Sequence, residues 1–67
     1  MNWRYQNDKY PERDTRCFVI WKGRLRILCW NAHYECWDDE CEDDYVCDKE
    51  MVEKWIPLDE VESNIKD

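Results

Sequence analysis

The side chains able to ligate metals or attack carbon gather in the middle of the chain. Cys29, His33, Cys36 and Cys41 form a C-x3-H-x2-C-x4-C series, flanked by Cys17 and Cys47. Zinc needs four soft ligands in a tetrahedral array, usually presented by two tight knuckles. Only Cys36-x4-Cys41 has knuckle spacing, and Cys29 and His33 flank a turn instead. The series therefore reads first as buried, reduced thiols beside a turn histidine. A zinc-stabilised structural module on Cys29, His33, Cys36 and Cys41 is the alternative. His33 with Cys29 or Cys36 is also the only Cys–His pairing, but no oxyanion-stabilising loop accompanies it. Ser63 and Thr15 are the only serine and threonine, and there is no phosphate-cradling glycine loop. The residues point away from an enzyme and call for no cofactor.

The second constellation is acidic. Asp38-Asp39-Glu40-Cys41-Glu42-Asp43-Asp44 holds six acids in seven positions. A calcium loop of the EF-hand type needs a glycine at its sixth position, and this run has none. Unpaired charges are not buried, so residues 38–44 are expected to form a solvated loop. With Glu50 and Glu53, the acids Asp38, Asp39, Glu40, Glu42, Asp43 and Asp44 make the candidate binding surface. A surface that merely keeps an aromatic-rich domain soluble explains the same residues. Trp21, Lys22, Arg24 and Arg26 make a small basic-aromatic patch of the kind single-strand binders use. Against it stands the charge of the whole chain, which argues against direct nucleic-acid binding.

That charge is −7, from 17 acids and 10 bases among 67 residues. It divides unevenly: residues 1–37 carry net +3 and residues 38–67 net −10. A chain this short supports one domain, spanning 1–67, and buries only about 60% of its unfolded surface. Five tryptophans, four tyrosines and a phenylalanine oppose the disorder that such charge would otherwise suggest. No apolar run reaches membrane-spanning length, and the first residues lack an export-signal core. The cytoplasm, where thiols stay reduced, is the expected compartment.

The elements that must position these groups begin with an extended arm, residues 1–16, carrying Trp3, Tyr5 and Tyr10. A β-hairpin follows, with Lys22-Gly23 as its two-residue turn. Its register pairs Trp21 with Arg24, Ile20 with Leu25, Val19 with Arg26, Phe18 with Ile27 and Cys17 with Leu28. One face then carries Phe18, Ile20, Leu25, Ile27 and Cys29, and is expected to be core. The other carries Cys17, Val19, Trp21, Arg24, Arg26, Leu28 and Trp30, with Arg24 over Trp21. That second face is too apolar for water. The arm, the C-terminal segment or another copy in a homodimer must cover it. Tyr34–Trp37 reads as a third strand, so 17–37 is a hairpin plus strand, and Tyr45–Cys47 as a short fourth. In the C-terminal segment, 45–67, residues 48–55 fit a short helix capped by Asp48 or an edge strand. Asp59 is placed to cap a last helix. The expected fold is α+β, mostly β: a three- to four-stranded antiparallel meander with a short C-terminal helix. Its expected core is Trp3, Phe18, Ile20, Leu25, Ile27, Trp37, Val52 and Trp55.

Taken together, Trp3, Pro11, Val19, Gly23, Trp30-Asn31, Trp37-Asp38, Tyr45 and Val52-x-x-Trp55-x-Pro57-Leu58 resemble a family of small phage- and prophage-associated domains of unknown function. Tyr10-Pro11 stands where that pattern has Leu-Pro, and the acidic loop lacks its glycine. The resemblance implies a mobile-element origin and a bacterial cytoplasm. With the acidic second half, it implies a non-catalytic protein that docks on a host protein, as a nucleic-acid mimic or defence inhibitor. No membrane partner is expected.

Overall fold

The computed structural model describes residues 2–40 and 44–65. Five strands form one antiparallel sheet: β1 (Thr15–Trp21), β2 (Arg24–Asn31), β3 (Cys36–Asp39), β4 (Tyr45–Asp48) and β5 (Val52–Pro57). A helix, α1 (Leu58–Ile65), follows β5. The mostly β, α+β class is as the sequence suggests, and the β1–β2 register is the expected one at every pair. Lys22 and Gly23 both have positive φ, 53° and 72°, as a two-residue type I′ turn requires.

The strand order is β4-β3-β2-β1-β5. A flat sheet would hold its edge strands about 19 Å apart, at four interstrand spacings. Yet β4 and β5 are joined by a single 3-10 turn, Lys49–Met51, which advances only about 2 Å per residue. The sheet must therefore curl until its edges approach. Bulges between Ile20 and Trp21 against β5, and between Trp37 and Asp38 against β4, supply the bend. Residues 48–55 thus resolve into a 3-10 turn and the start of a strand. The strand wins because β1 offers it a partner edge, and Pro57 is tolerated on an edge strand.

The core lies on the hairpin face opposite to the one expected. Cys17, Val19, Leu28 and Trp30 are buried there, with Trp37, Cys47, Val52 and Trp55. Phe18 and Ile20 are half-buried, Trp3 likewise, and Leu25 is 62% exposed. The neighbouring strands decide this. On the concave face, Trp30 pairs with Trp37 and Val19 with Trp55. On the convex face, Cys29 pairs with Asp38 and Ile20 with Lys54. Only one face can be apolar across all five strands.

The cover for the concave face is the arm. Tyr10 stacks between Trp30 (4.4 Å, 19°) and Trp55 (5.4 Å, 16°), and Trp37 meets Trp30 edge-on at 5.0 Å. Each such pair adds about 0.5–1.5 kcal/mol beyond its area burial. Polar latches hold the arm in register. Trp30 Nε1 donates to the Pro11 carbonyl (3.0 Å), and Arg4 and Trp55 exchange backbone bonds of 2.8 and 2.9 Å. The Tyr10 hydroxyl donates to the Lys49 carbonyl (3.3 Å), on the turn that joins β4 to β5. The helix begins at Leu58, so Asp59 sits inside its first turn rather than capping it. There its charge favours the helix N-terminus.

Tyr10→Ala is expected to cost about 3 kcal/mol in urea-unfolding stability, as for a large aromatic deletion. Leu25→Ala should stay within about 0.5 kcal/mol, as for an exposed site. The reverse order would mean that the convex face is the core.

Candidate functional site

The groups with chemical potential separate into three places. The first is a cavity of about 390 Å³ on the convex face, lined by Asn31, Tyr34, Cys36, Asp38, Tyr45 and Asp48. Strands β2, β3 and β4 carry five of them, and the turn 32–35 carries Tyr34. Asn31 organises this corner. Its Oδ1 accepts the backbone N–H groups of His33 and Tyr34 (3.0 Å each), while its Nδ2 donates to Asp38 Oδ2 (3.0 Å). Cys36 Sγ donates to Asp38 Oδ1 at 3.6 Å.

This arrangement corrects the acidic-loop expectation at its start. Asp38 and Asp39 belong to β3, and Asp38 is only 7% exposed. A carboxylate is tolerated there because two donors meet it. Asp38 is therefore an internal hydrogen-bond acceptor, not a docking residue. Burial first, then the Asp38 charge and hydrogen bond, push the Cys36 thiol up, so it stays a protonated donor. Across the cavity, the Tyr45 hydroxyl donates to Asp48 Oδ1 (2.6 Å), which pushes the phenol up to about 12. Each carboxylate is satisfied by a protonated neighbour. The corner holds its protons rather than moving them.

Cys17 and Cys47 follow the same rule. Burial pushes Cys17 up to about 12 and Cys47 up to about 11. A nucleophilic cysteine needs the opposite shift. His33 is exposed and packs edge-on to Tyr34 at 4.6 Å. Of the four candidate zinc ligands, Cys41 lies outside the described residues. Among the described residues, no group of three or more His, Cys, Asp or Glu side chains is placed to hold a metal ion.

The second place is the acidic surface. Glu40 pairs with Arg16 (3.2 Å) and Asp39 with Arg26 (3.9 Å). Glu42 and Asp43 lie outside the described residues. Asp44, Glu50 and Glu53 are exposed and join none of the five ion pairs among the described residues. Two large apolar side chains stand exposed in the same stretch, Tyr45 (58%) and Met51 (55%). Sequence reasoning missed both. The alternation of Asp44, Tyr45, Asp48, Glu50, Met51 and Glu53 was the available signal.

The third place is the hairpin end, where Trp21, Lys22, Arg24 and Arg26 line an open cleft of about 510 Å³. The cations over the Trp21 ring are Lys22 (4.8 Å) and Arg26 (5.1 Å), rather than Arg24. Arg24 stands directly opposite Trp21, and the diagonal position of Arg26 gives the same kind of side chain the better approach to the ring.

The thiol shifts carry a pH dependence. Cys17 ionises at 9.0 when unfolded and about 12 when folded. Its share of stability is complete below pH 9 and is lost as pH rises through about 12. Between about pH 9.5 and 10.5, wild-type stability should fall more steeply than that of Cys17→Ala, by about 1.4 kcal/mol per pH unit. Urea titrations at stepped pH read this difference. Parallel curves would mean that Cys17 is not held as a buried thiol.

No protein family, curated protein or solved structure matches this chain.

Proposed function

We propose that this is a non-catalytic binding protein whose acidic segment docks on a basic surface of another protein. The observation that supports it most is the exposed stretch 44–53. There Tyr45 and Met51 stand in solvent among Asp44, Asp48, Glu50 and Glu53. Aromatic and methionine anchors with a charged rim have the composition of protein interfaces. The acids steer encounter, and the apolar anchors hold the complex. The resemblance in the sequence extends this reading to a phage or mobile-element protein acting on a bacterial host protein. A partner that normally handles nucleic acid is the one such a surface suits, because its acids present charge where phosphates would.

Three kinds of observation fit this reading better than catalysis. Cys17, Cys36 and Cys47 are shifted toward the protonated form, the internal carboxylate is paired with donors, and the clefts are open.

The test compares wild type with the exposed-site variant Asp44→Lys/Glu50→Lys/Glu53→Lys as baits in bacterial lysate. Wild type should retain a discrete protein at about 0.05 M salt and release it at about 0.5 M, where screening is within about 4 Å. The variant should retain it about tenfold less, with an unchanged melting curve. Equal retention by the variant, or no salt-sensitive protein at all, would contradict the reading.

A further inference from the structure

We propose that the hairpin end is a second binding site, of opposite sign, that takes a carboxylate-rich peptide segment of a partner protein. It goes beyond the acidic surface and does not rest on it.

The site follows from the strand alternation. Trp21 and Arg24 are cross-strand partners, and Arg26 lies two residues along β2 on the same concave face. Lys22 occupies the turn between them. Among the described residues, these four side chains line the cleft of about 510 Å³. Deeper along the same face, Val19 and Leu28 are fully buried. The apolar floor therefore ends at Trp21, and the cationic heads stand over its outer edge.

Holding them there is costly. Like charges gathered on one sheet face repel. Lys22 also adopts φ 53°, at a turn position that favours glycine, asparagine or aspartate. A left-handed conformation costs a residue of this type about 1–2 kcal/mol. Local strain clusters at functional sites, so a charge kept at a strained position against like-charged neighbours points to a binding role.

The donors are also unspent. Lys22 and Arg24 join no ion pair among the described residues. Arg26 has Asp39 at 3.9 Å, too far for a hydrogen bond. The Trp21 ring holds the Lys22 and Arg26 heads at 4.8 and 5.1 Å, which limits their freedom before a ligand arrives. Among the described residues, their N–H groups stay available.

The chemistry of the cleft favours carboxylates over nucleic acid. The guanidinium fork matches a carboxylate in a bidentate pair, and the anion already at the cleft edge, Asp39, is a carboxylate. Cations lie over the Trp21 ring, where a base would otherwise stack. A longer polyphosphate strand would also run on across a body of only 34 × 24 × 23 Å that carries −7 overall. A short acidic peptide needs contact only at the cleft.

The test is fluorescence anisotropy with dye-labelled hexaglutamate, and with a dye-labelled six-nucleotide oligothymidylate, at about 0.05 M salt. Both probes carry the same sign as the whole protein, so attraction must be local. Hexaglutamate should bind saturably. Arg24→Glu, at an exposed position, should weaken it about tenfold or more. Lys22→Asn suits the type I′ turn and serves as the variant that cannot fail by misfolding; it should weaken binding several-fold with an equal or higher melting temperature. Oligothymidylate should bind about tenfold more weakly than hexaglutamate. No saturable hexaglutamate binding, unchanged affinity in both variants, or equal or tighter oligothymidylate binding would overturn the proposal.

Discussion

The stacking of Tyr10 between Trp30 and Trp55 is the contact on which this structure depends. Trp30 belongs to β2 and Trp55 to β5, with β1 between them. One arm residue thus spans the concave face and joins both sides of a curled sheet. Its hydroxyl also reaches Lys49, at the turn that brings the two sheet edges together. A 67-residue chain has little core to spare. Here three buried tryptophans, capped by a tyrosine, supply much of that core. Of the three buried indoles, Trp30 has a carbonyl acceptor, and it is an arm carbonyl, Pro11. The arm closes the core in both its apolar and its polar contacts.

This economy shapes what the protein offers its surroundings. Cys17 and Cys47 are spent as small buried residues, and burial holds their protons. Asp38 is spent inside, pinned by Asn31 and Cys36. What remains outside is charge, sorted by position. The acidic stretch 44–53 follows β3, and the cationic cleft sits at the β1–β2 turn. A binding protein with two surfaces of opposite sign is the reading that uses both, and each sign keeps the other from non-specific contact with a simple polyanion or polycation.

Much of this was readable from the residues alone. Alternation and the lone glycine set the β1–β2 register, because only Gly23 relaxes the second turn position. The β1–β4 meander followed from the turn clusters and the terminal helix from Asp59, Val61 and Ile65, but the fifth strand and its return to the β1 edge were not legible. The buried face was not readable from the hairpin. Both of its faces are apolar, and the choice belongs to cross-strand neighbours such as Trp37, Trp55, Asp38 and Lys54. A charge count likewise places Asp38 in solvent, since it cannot reveal that Asn31 and Cys36 will meet it. The acid pattern was a good guide to exposure at Asp44, Glu50 and Glu53. Tyr45 and Met51 beside them were missed, because apolar residues in a pattern default to core, and the acids interleaved with them were the signal against that default.

Native-state hydrogen exchange tests the role of the arm most directly. The Arg4 and Trp55 amides bond each other's carbonyls, and β1–β2 amides such as those of Val19 and Leu28 sit in the buried centre. If the arm is part of the cooperative core, all of these amides exchange through global unfolding, with one free energy. If Arg4 and Trp55 exchange orders of magnitude faster while Val19 and Leu28 stay protected, the arm is peripheral, and the account of this fold is wrong.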